Sequence, residues 1–481
     1  MFRQLPGADE DFFAVPGWTI LNDGVPRIPY LPARNGDSAF YKADEILFAL
    51  PPLYFYVQAL FYSVLGTATG VARLASATAC AGGVCVLYCL ARRLTNSPRA
   101  AIWAAGLYLF SRAVYFPSVN GRPDSLCSLM GLLCLLQVCR YRDSQHLRDA
   151  VLAGLFGGMG MLTHPFAAVF CLQAGVWLIA GSRSWKRRVT AAGTFVLVAL
   201  SAYALWLPLI LLEPEIFWVQ FSNNVLDRAG PGLVSRLLLP VESFTVQFRL
   251  YVEHLGPLQA SLLAGASLYV GLRAIRQRPS RYGTIAWLAL SALYLHVASQ
   301  GTHPAKGYWV YTAGLQFVCL GLVVCEAQQF LQQSLSPRAL KVVASLGVLA
   351  LCGMFVPGSG VRTAIAHVRH WKDPNYNADV FTQQLMARFS KEQKLIVDPG
   401  YVYEFHKAGY DVLLALNFRF FFDVSGRDYD YMIGGPYSIT GGVPEDLGAV
   451  PMERVGNFED VFGCRAVLYR HPSHPELVRA E

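Results

Sequence analysis

Between residues 71 and 356 the chain is a succession of long apolar runs separated by short loops, and this alternation limits what it can fold into more than any other feature. The runs cover 71–91, 99–117, 124–140, 147–163, 165–181, 189–212, 257–276, 282–299, 306–326 and 338–356. A helix needs ~20 apolar residues to cross the hydrocarbon core of a bilayer, and most of these runs reach or approach that length. The pair 147–163 and 165–181 is short and meets at Thr163-His164-Pro165, which reads as a tight helical hairpin. Composition agrees: 54% of the residues are hydrophobic and only 15% charged, against about 25% charged in soluble domains. The expected fold is a mainly α polytopic membrane protein with about ten transmembrane helices, to which juxtamembrane helices are added.

The net charge of +8 does not point to nucleic acid, because no basic face with interleaved aromatics is present. The basic residues instead fill alternate loops: Arg92, Arg93 and Arg99; Arg140, Arg142 and Arg148; Arg183, Lys186, Arg187 and Arg188; Arg273, Arg276, Arg278 and Arg281; Arg338 and Lys341. The positive-inside bias makes these cytoplasmic. Residues 1–70, 118–123, Thr163-His164, 213–256, 300–305 and 357–481 then face outward. The run 47–66 would reverse that parity if it spanned, so 51–65 is expected to lie in the outer interface, where its Tyr and Phe side chains fit. The same parity puts the N-terminus outside, which is expected either from a further helix ahead of this sequence, the favoured reading, or from translocation of the polar start with the first span. The loop 213–256 is amphipathic enough to hold an interfacial helix.

After residue 356 the pattern changes. KLIVDPG, DVLLALN, YDYMIGG and CRAVLYR are short apolar runs bounded by Gly, Pro, Asp and Asn, which read as strands, and 377–391 is helix-like. Three regions are expected: a first extracytoplasmic loop with a juxtamembrane helix (1–70), a transmembrane domain (71–356) and a small extracytoplasmic α/β domain (363–481). Ten of the eleven cysteines lie in or beside apolar runs and only Cys464 in the polar C-terminal part, so they are packing residues rather than disulfide or zinc ligands.

Chemistry concentrates in the outward loops. Asp9-Glu10-Asp11 precedes Phe12-Phe13; such a cluster can hold a base of raised pKa or a cation, or can simply be solvated. In Gly121-Arg122-Pro123-Asp124, Asp124 can cap the following helix and Arg122 can sit among headgroups. Both acidic sites fall on one membrane face, which favours function. His164 lies at the hairpin tip, and His303, Lys306 and Tyr308 lie in another outward loop. A lysine near a helix N-terminus opposes the dipole, and a bound anion would explain it. Arg122, Lys306 and His164 together suit a phosphate at the membrane boundary. His296 lies deeper and reads as packing, while Arg228 and Arg249 are less specific phosphate ligands. GGMGM (157–161) lacks the strand-and-helix context of a nucleotide loop and reads as close helix packing.

An outer DE followed by aromatics, then PPLYF, LFYSVLG, VARLASA, ARRL, the GRPD loop and MLTHP, occur in that order over about residues 8–181, with weaker agreement at HPAKGYW. This series resembles the C-type (GT-C) membrane glycosyltransferases, nearest to the protein O-mannosyltransferase and lipid A aminoarabinose transferase superfamily. The resemblance implies transfer of a sugar from a polyisoprenyl-phosphate donor to an extracytoplasmic acceptor on a protein, lipid or glycan. It implies Asp9 as catalytic aspartate, Glu10 as its acidic partner, and Asp124 as the second acidic position beside Arg122. It places the THP turn with His164, and Lys306 and Tyr308, near the lipid phosphate. Two departures stand out: the family's first transmembrane helix is absent from this sequence, and Leu50 precedes the PP pair where relatives often carry His or Lys. Lys42 or Asp44-Glu45 are candidates to replace that contact. No cofactor is implied, and a divalent cation is permitted but not demanded. The competing readings are a lipid transporter or flippase and a non-catalytic envelope scaffold.

Overall fold

The computed structural model describes residues 3–7, 9–181, 184–227, 233–238, 240–277, 281–303 and 307–473. The N-terminal segment opens with α1 (Glu10–Asp23) and, after an irregular loop, α2 (Leu53–Leu65). Pro52 is the N-cap residue of α2, and Leu60, Val64 and Leu65 stay exposed along it. The bundle then runs through α3 (Thr69–Thr95), α4 (Pro98–Leu109), α5 (Arg112–Val119), α6 (Asp124–Ser144), α7 (Leu147–Met161), α8 (Ala167–Gly181) and α9 (Trp185–Tyr203). α10 (Leu207–Ile210) continues the candidate span that begins with α9, and the long loop after it holds α11 (Pro214–Phe221), α12 (Leu233–Leu238) and α13 (Val241–Leu255). The last bundle helices are α14 (Pro257–Arg276), α15 (Arg281–Gln300), α16 (Val310–Ser334) and α17 (Pro337–Phe355).

Every apolar run of the sequence coincides with helix, but among the described residues seven helices are both long and apolar enough to cross a membrane. The others fall short for local reasons. The run 99–117 is broken after Leu109, where the Ser111 hydroxyl bonds the Tyr108 carbonyl at 2.8 Å and Pro117 interrupts the next helix. The helices α7 and α8, at 15 residues each, form the hairpin about Thr163-His164-Pro165. The GGMGM stretch packs as read: a Cβ on Gly158 would lie 2.4 Å from the Ala199 carbonyl oxygen, so α7 and α9 touch backbone to backbone.

Beyond the bundle, α18 (Val361–Arg369) and α19 (Ala378–Met386) lead to β1 (Lys394–Val397), α20 (Val402–Lys407), β2 (Asp411–Leu414), β3 (Asn417–Phe418), β4 (Phe422–Asp423) and β5 (Tyr431–Gly434). Then come α21 (Pro436–Thr440), α22 (Val443–Asp446), β6 (Val450–Gly456) and β7 (Arg465–Arg470). The main sheet has the order β2-β1-β5-β7-β6, parallel across β2-β1-β5 and antiparallel thereafter; β3 and β4 form a separate small hairpin. All four strands read from the sequence are present. The edge strand β6 was not among them, because its side chains are mostly exposed and carry no alternating apolar pattern.

Two main cores result. One fills the bundle around Leu87, Phe170, Phe317 and Trp309. The other joins the N-terminal segment to the sheet, bringing Phe12, Tyr30, Phe40 and Leu50 into the same cluster as Ile396, Phe405 and Met432. Residues 9–66 and 378–469 are thus on one side of the molecule, and the candidate site lies beneath their junction.

Candidate active site

Asp9 immediately precedes α1 but makes no capping bond there. Its carboxylate pairs instead with the Nη1 of Arg122, and its side chain remains half exposed. Arg122 is held from the other edge by Asp124, with Nε 2.8 Å from Oδ2. Asp124 is the first residue of α6 and fully buried; its second oxygen accepts the Tyr311 hydroxyl at 2.8 Å. Pro123, not Asp124, is the N-cap of α6 and no side-chain capping bond is made; the Asp124 carboxylate lies at the positive end of the helix and anchors the arginine.

The Arg122 guanidinium is further enclosed by rings, 5.2 Å from Phe13, 5.4 Å from Phe116 and 5.8 Å from Tyr308. Burial disfavours its charge, but Asp124 and Asp9 outweigh that cost and hold it protonated well beyond the ordinary arginine range. The loop carrying it is pinned by Glu10, whose Oε1 accepts the Gly121 N–H at 2.9 Å while both carboxylate oxygens pair with Arg73 at 2.8 Å. A Cβ at Gly121 would lie 3.0 Å from that of Ala72, so glycine allows the loop to approach α3. The Ser76 hydroxyl donates to the Arg122 carbonyl at 2.8 Å and meets the Tyr54 hydroxyl at 2.6 Å.

His164 sits at the turn between α7 and α8, its Nδ1 accepting the Phe166 N–H at 3.2 Å, so the neutral ring carries its proton on Nε2. It packs 5.4 Å from Tyr308 and 5.7 Å from Tyr311. Asp9, Arg122, His164 and Tyr308 line one pocket of about 50 Å³, with Asn224 as a further polar group. Its apolar walls are Phe12, Phe13, Phe40, Leu50 and Phe421.

Other candidates fall elsewhere. Glu10 does not line this pocket; its oxygens are engaged by Arg73, Gly121 and Gly7, so its place is structural support for the Arg122 loop rather than contact with the pocket. Lys306 and Arg228 lie outside the described residues. Arg249 is exposed beside Glu253, and His296 is buried between Phe166 and Trp309. Neither Lys42 nor Asp44-Glu45 reaches the pocket: Asp44 and Glu45 pair with Arg34, and Lys42 with Glu45, so Leu50 remains as an apolar wall. Arg73, Asn224 and Phe421 were not singled out from the sequence; only Arg73 stood within a quoted motif, VARLASA.

A divalent cation does not fit this arrangement. Among the described residues no group of three or more His, Cys, Asp or Glu side chains is placed to hold a metal, and the guanidinium of Arg122 already occupies the space between Asp9 and Asp124.

Residues 49–206 match the model of the family described as dolichyl-phosphate-mannose-protein mannosyltransferase. No curated protein matches the chain in sequence. Among solved structures, the chain is similar to ArnT from Cupriavidus metallidurans in the apo state, with a TM-score of 0.63 and 16% identity, covering 99% of this chain and 96% of that one. The same protein bound to undecaprenyl phosphate gives 0.61 and 15% over the same shares. The archaeal oligosaccharyltransferase AglB from Archaeoglobus fulgidus, in complex with an inhibitory peptide and a dolichol-phosphate, gives 0.52 and 11%, covering 99% of this chain and 72% of that one. The chain is a multi-pass membrane protein with the C-type glycosyltransferase fold of ArnT, and the mannosyltransferase family model describes its residues 49–206.

Proposed function

We propose that the chain transfers a sugar from a polyisoprenyl-phosphate donor to a hydroxyl-bearing acceptor on the extracytoplasmic face of a membrane. The observation that carries this reading is the Asp9–Arg122–Asp124 array, in which a half-exposed carboxylate and a buried arginine face one pocket. The ligands of ArnT and AglB, undecaprenyl phosphate and a dolichol-phosphate, support a donor of the same chemistry. So does an apolar groove of about 470 Å³ whose lining includes Phe248, Tyr251, Leu268, Leu290 and Trp309. Trp309, which lines the groove, follows Tyr308, which lines the polar pocket.

In this reading Asp9 accepts the proton of the acceptor hydroxyl as its oxygen bonds the anomeric carbon. The bond from that carbon to the phosphate oxygen breaks, and its electron pair leaves with the polyisoprenyl phosphate. Arg122 receives the charge that develops there, with His164 Nε2 as a neutral donor. Lys306 is proposed as a further cation at the phosphate. Asp124 holds Arg122 in place, and a single displacement inverts the anomeric centre. The ionisable groups gather at one edge of the bundle rather than at its middle, which favours transfer over lipid transport. Proteoliposomes given radiolabelled polyisoprenyl-phosphate sugars and a membrane extract as acceptor source should move label to the acceptor, and Asp9→Asn should not. Release of no label by the wild-type chain with any such donor would overturn the proposal.

A further inference from the structure

Phe421 is a wall of two spaces. One is the pocket with Asp9 and Arg122; the other is a cleft of about 350 Å³ between the first outer loop and the β3–β4 hairpin. Three arginines line the cleft, Arg34 from the loop and Arg419 and Arg427 from beside the hairpin, against a single carboxylate, Asp423. Asp44 and Glu45 pair with Arg34, and Asp37 with Arg419, from just outside the lining, so the cleft offers guanidinium N–H donors rather than a net positive charge. Asn35 and Ser38 add neutral polar groups.

The three arginines are exposed, but each has a partner at the rim of the cleft. Arg34 pairs with Asp44 through two bonds of 2.6 and 2.7 Å. Arg419 reaches Asp37 at 3.2 Å, and Arg427 donates to the Pro32 carbonyl at 3.2 Å. The seam is fixed as well: the Ala39 N–H donates to the Phe420 carbonyl at 2.8 Å, and the Ser38 hydroxyl to the Phe421 carbonyl. A guanidinium has five N–H donors, and the bonds of Arg419 and Arg427 each use Nη2 alone among the described residues. The remaining donors suit a carboxylate or phosphate. The volume is that of a small-molecule pocket, which begins at about 300 Å³, so it takes one compact unit rather than an extended chain.

We infer that this cleft binds the acidic group of a saccharide acceptor, a phosphomonoester or a carboxylate on the sugar whose hydroxyl is glycosylated across Phe421. The acceptor role rests on the transferase reading above; the anion site does not.

The test uses full-length protein in neutral detergent, titrated calorimetrically with glucose 6-phosphate, glucuronate and glucose. The two acidic sugars should bind and glucose should not. Arg419→Gln with Arg427→Gln should weaken both by about tenfold or more, since charge-assisted bonds are lost. Arg419→Lys with Arg427→Lys should restore much of the affinity. Equal binding of glucose and glucose 6-phosphate, or an affinity indifferent to the glutamine pair, overturns the proposal. So does displacement of glucose 6-phosphate by nanodiscs of phosphatidylglycerol but not phosphatidylcholine, which assigns the cleft to a lipid headgroup. Acidic-sugar binding that depends on the arginines, in a protein that transfers no sugar, upholds the cleft and defeats the transferase reading.

Discussion

Glu10 and Arg73 face each other as a bidentate pair, Nε to Oε1 and Nη2 to Oε2 both at 2.8 Å, with 1% and 2% of their side chains exposed. The same carboxylate holds the Gly121 and Gly7 N–H groups, so it ties α1, α3 and the Arg122 loop together. Removing one member of a buried ion pair leaves the other charge uncompensated, at a cost of about 3–5 kcal/mol. Glu10→Ala should therefore lower the thermal midpoint of the detergent-solubilised protein severely. The double variant Glu10→Leu with Arg73→Met should recover most of the loss. A single variant that melts like the wild type would show that the pair does not hold these elements.

Asp9 and Asp124 share Arg122 but should separate in experiment. Asp9 is half exposed, so Asp9→Asn removes a base with little effect on folding; the expected loss in kcat for transfer is about 10²–10⁴-fold. Asp124 is fully buried and bonded to Arg122 and Tyr311, so Asp124→Asn should reduce transfer and also lower the melting midpoint. Equal thermal losses in the two variants would contradict this division. The readout is melting in parallel with initial rates at saturating donor.

What the sequence discloses follows the range of each interaction. Hydropathy is local, so the helices α3 to α9 and α14 to α17 and the strands β1, β2, β5 and β7 are visible as runs, and the short hairpin at His164 follows from Pro165, whereas the loop 213–256, read as holding one interfacial helix, contains α11, α12 and α13. The break after Leu109 is less visible, because Ser111 and Pro117 sit inside an otherwise apolar stretch. The acidic and GRPD loops were legible as candidates, and the fold brings Asp9 to Arg122 across 113 positions. The partners of that array were not. Arg73 is one arginine in an apolar helix and its match to Glu10 exists only in three dimensions. Phe421 belongs to NFRFFFD, where no periodicity distinguishes the ring that reaches Phe12 and Phe40. Asn224 likewise gains meaning only when its amide meets the Ala49 carbonyl beside Leu50.

Gly158 of α7 and Gly175 of α8 give a test of packing alone. A Cβ at Gly158 would stand 2.4 Å from the Ala199 carbonyl oxygen and 2.7 Å from the Ala202 Cβ, whereas one at Gly175 would meet nothing within 4 Å. Overpacking of this kind costs about 1–3 kcal/mol. Gly158→Ala should lower the melting midpoint and Gly175→Ala should not. Indistinguishable midpoints would mean that α7 and α9 are not in contact at Gly158.

Asp11 supplies a pH dependence whose sign is fixed by its surroundings. It is 2% exposed, and among the described residues no side-chain donor reaches its carboxyl oxygens. Burial first, and then the charge of Asp9, push its pKa well above the ordinary carboxylate range, and the Phe12 N–H offsets this only in part. The unfolded chain ionises there near a pKa of about 3.9, while the folded chain keeps the proton. The native state then binds more protons, so this group's contribution to stability is greatest below about pH 4 and declines as pH rises toward the folded pKa. Asp11→Asn abolishes that titration. Its melting midpoint relative to wild type should rise between pH 4 and pH 7, and the gain should shrink again on acidification. A difference that is constant across this range, or that grows toward low pH, would show that Asp11 is ionised in the folded protein.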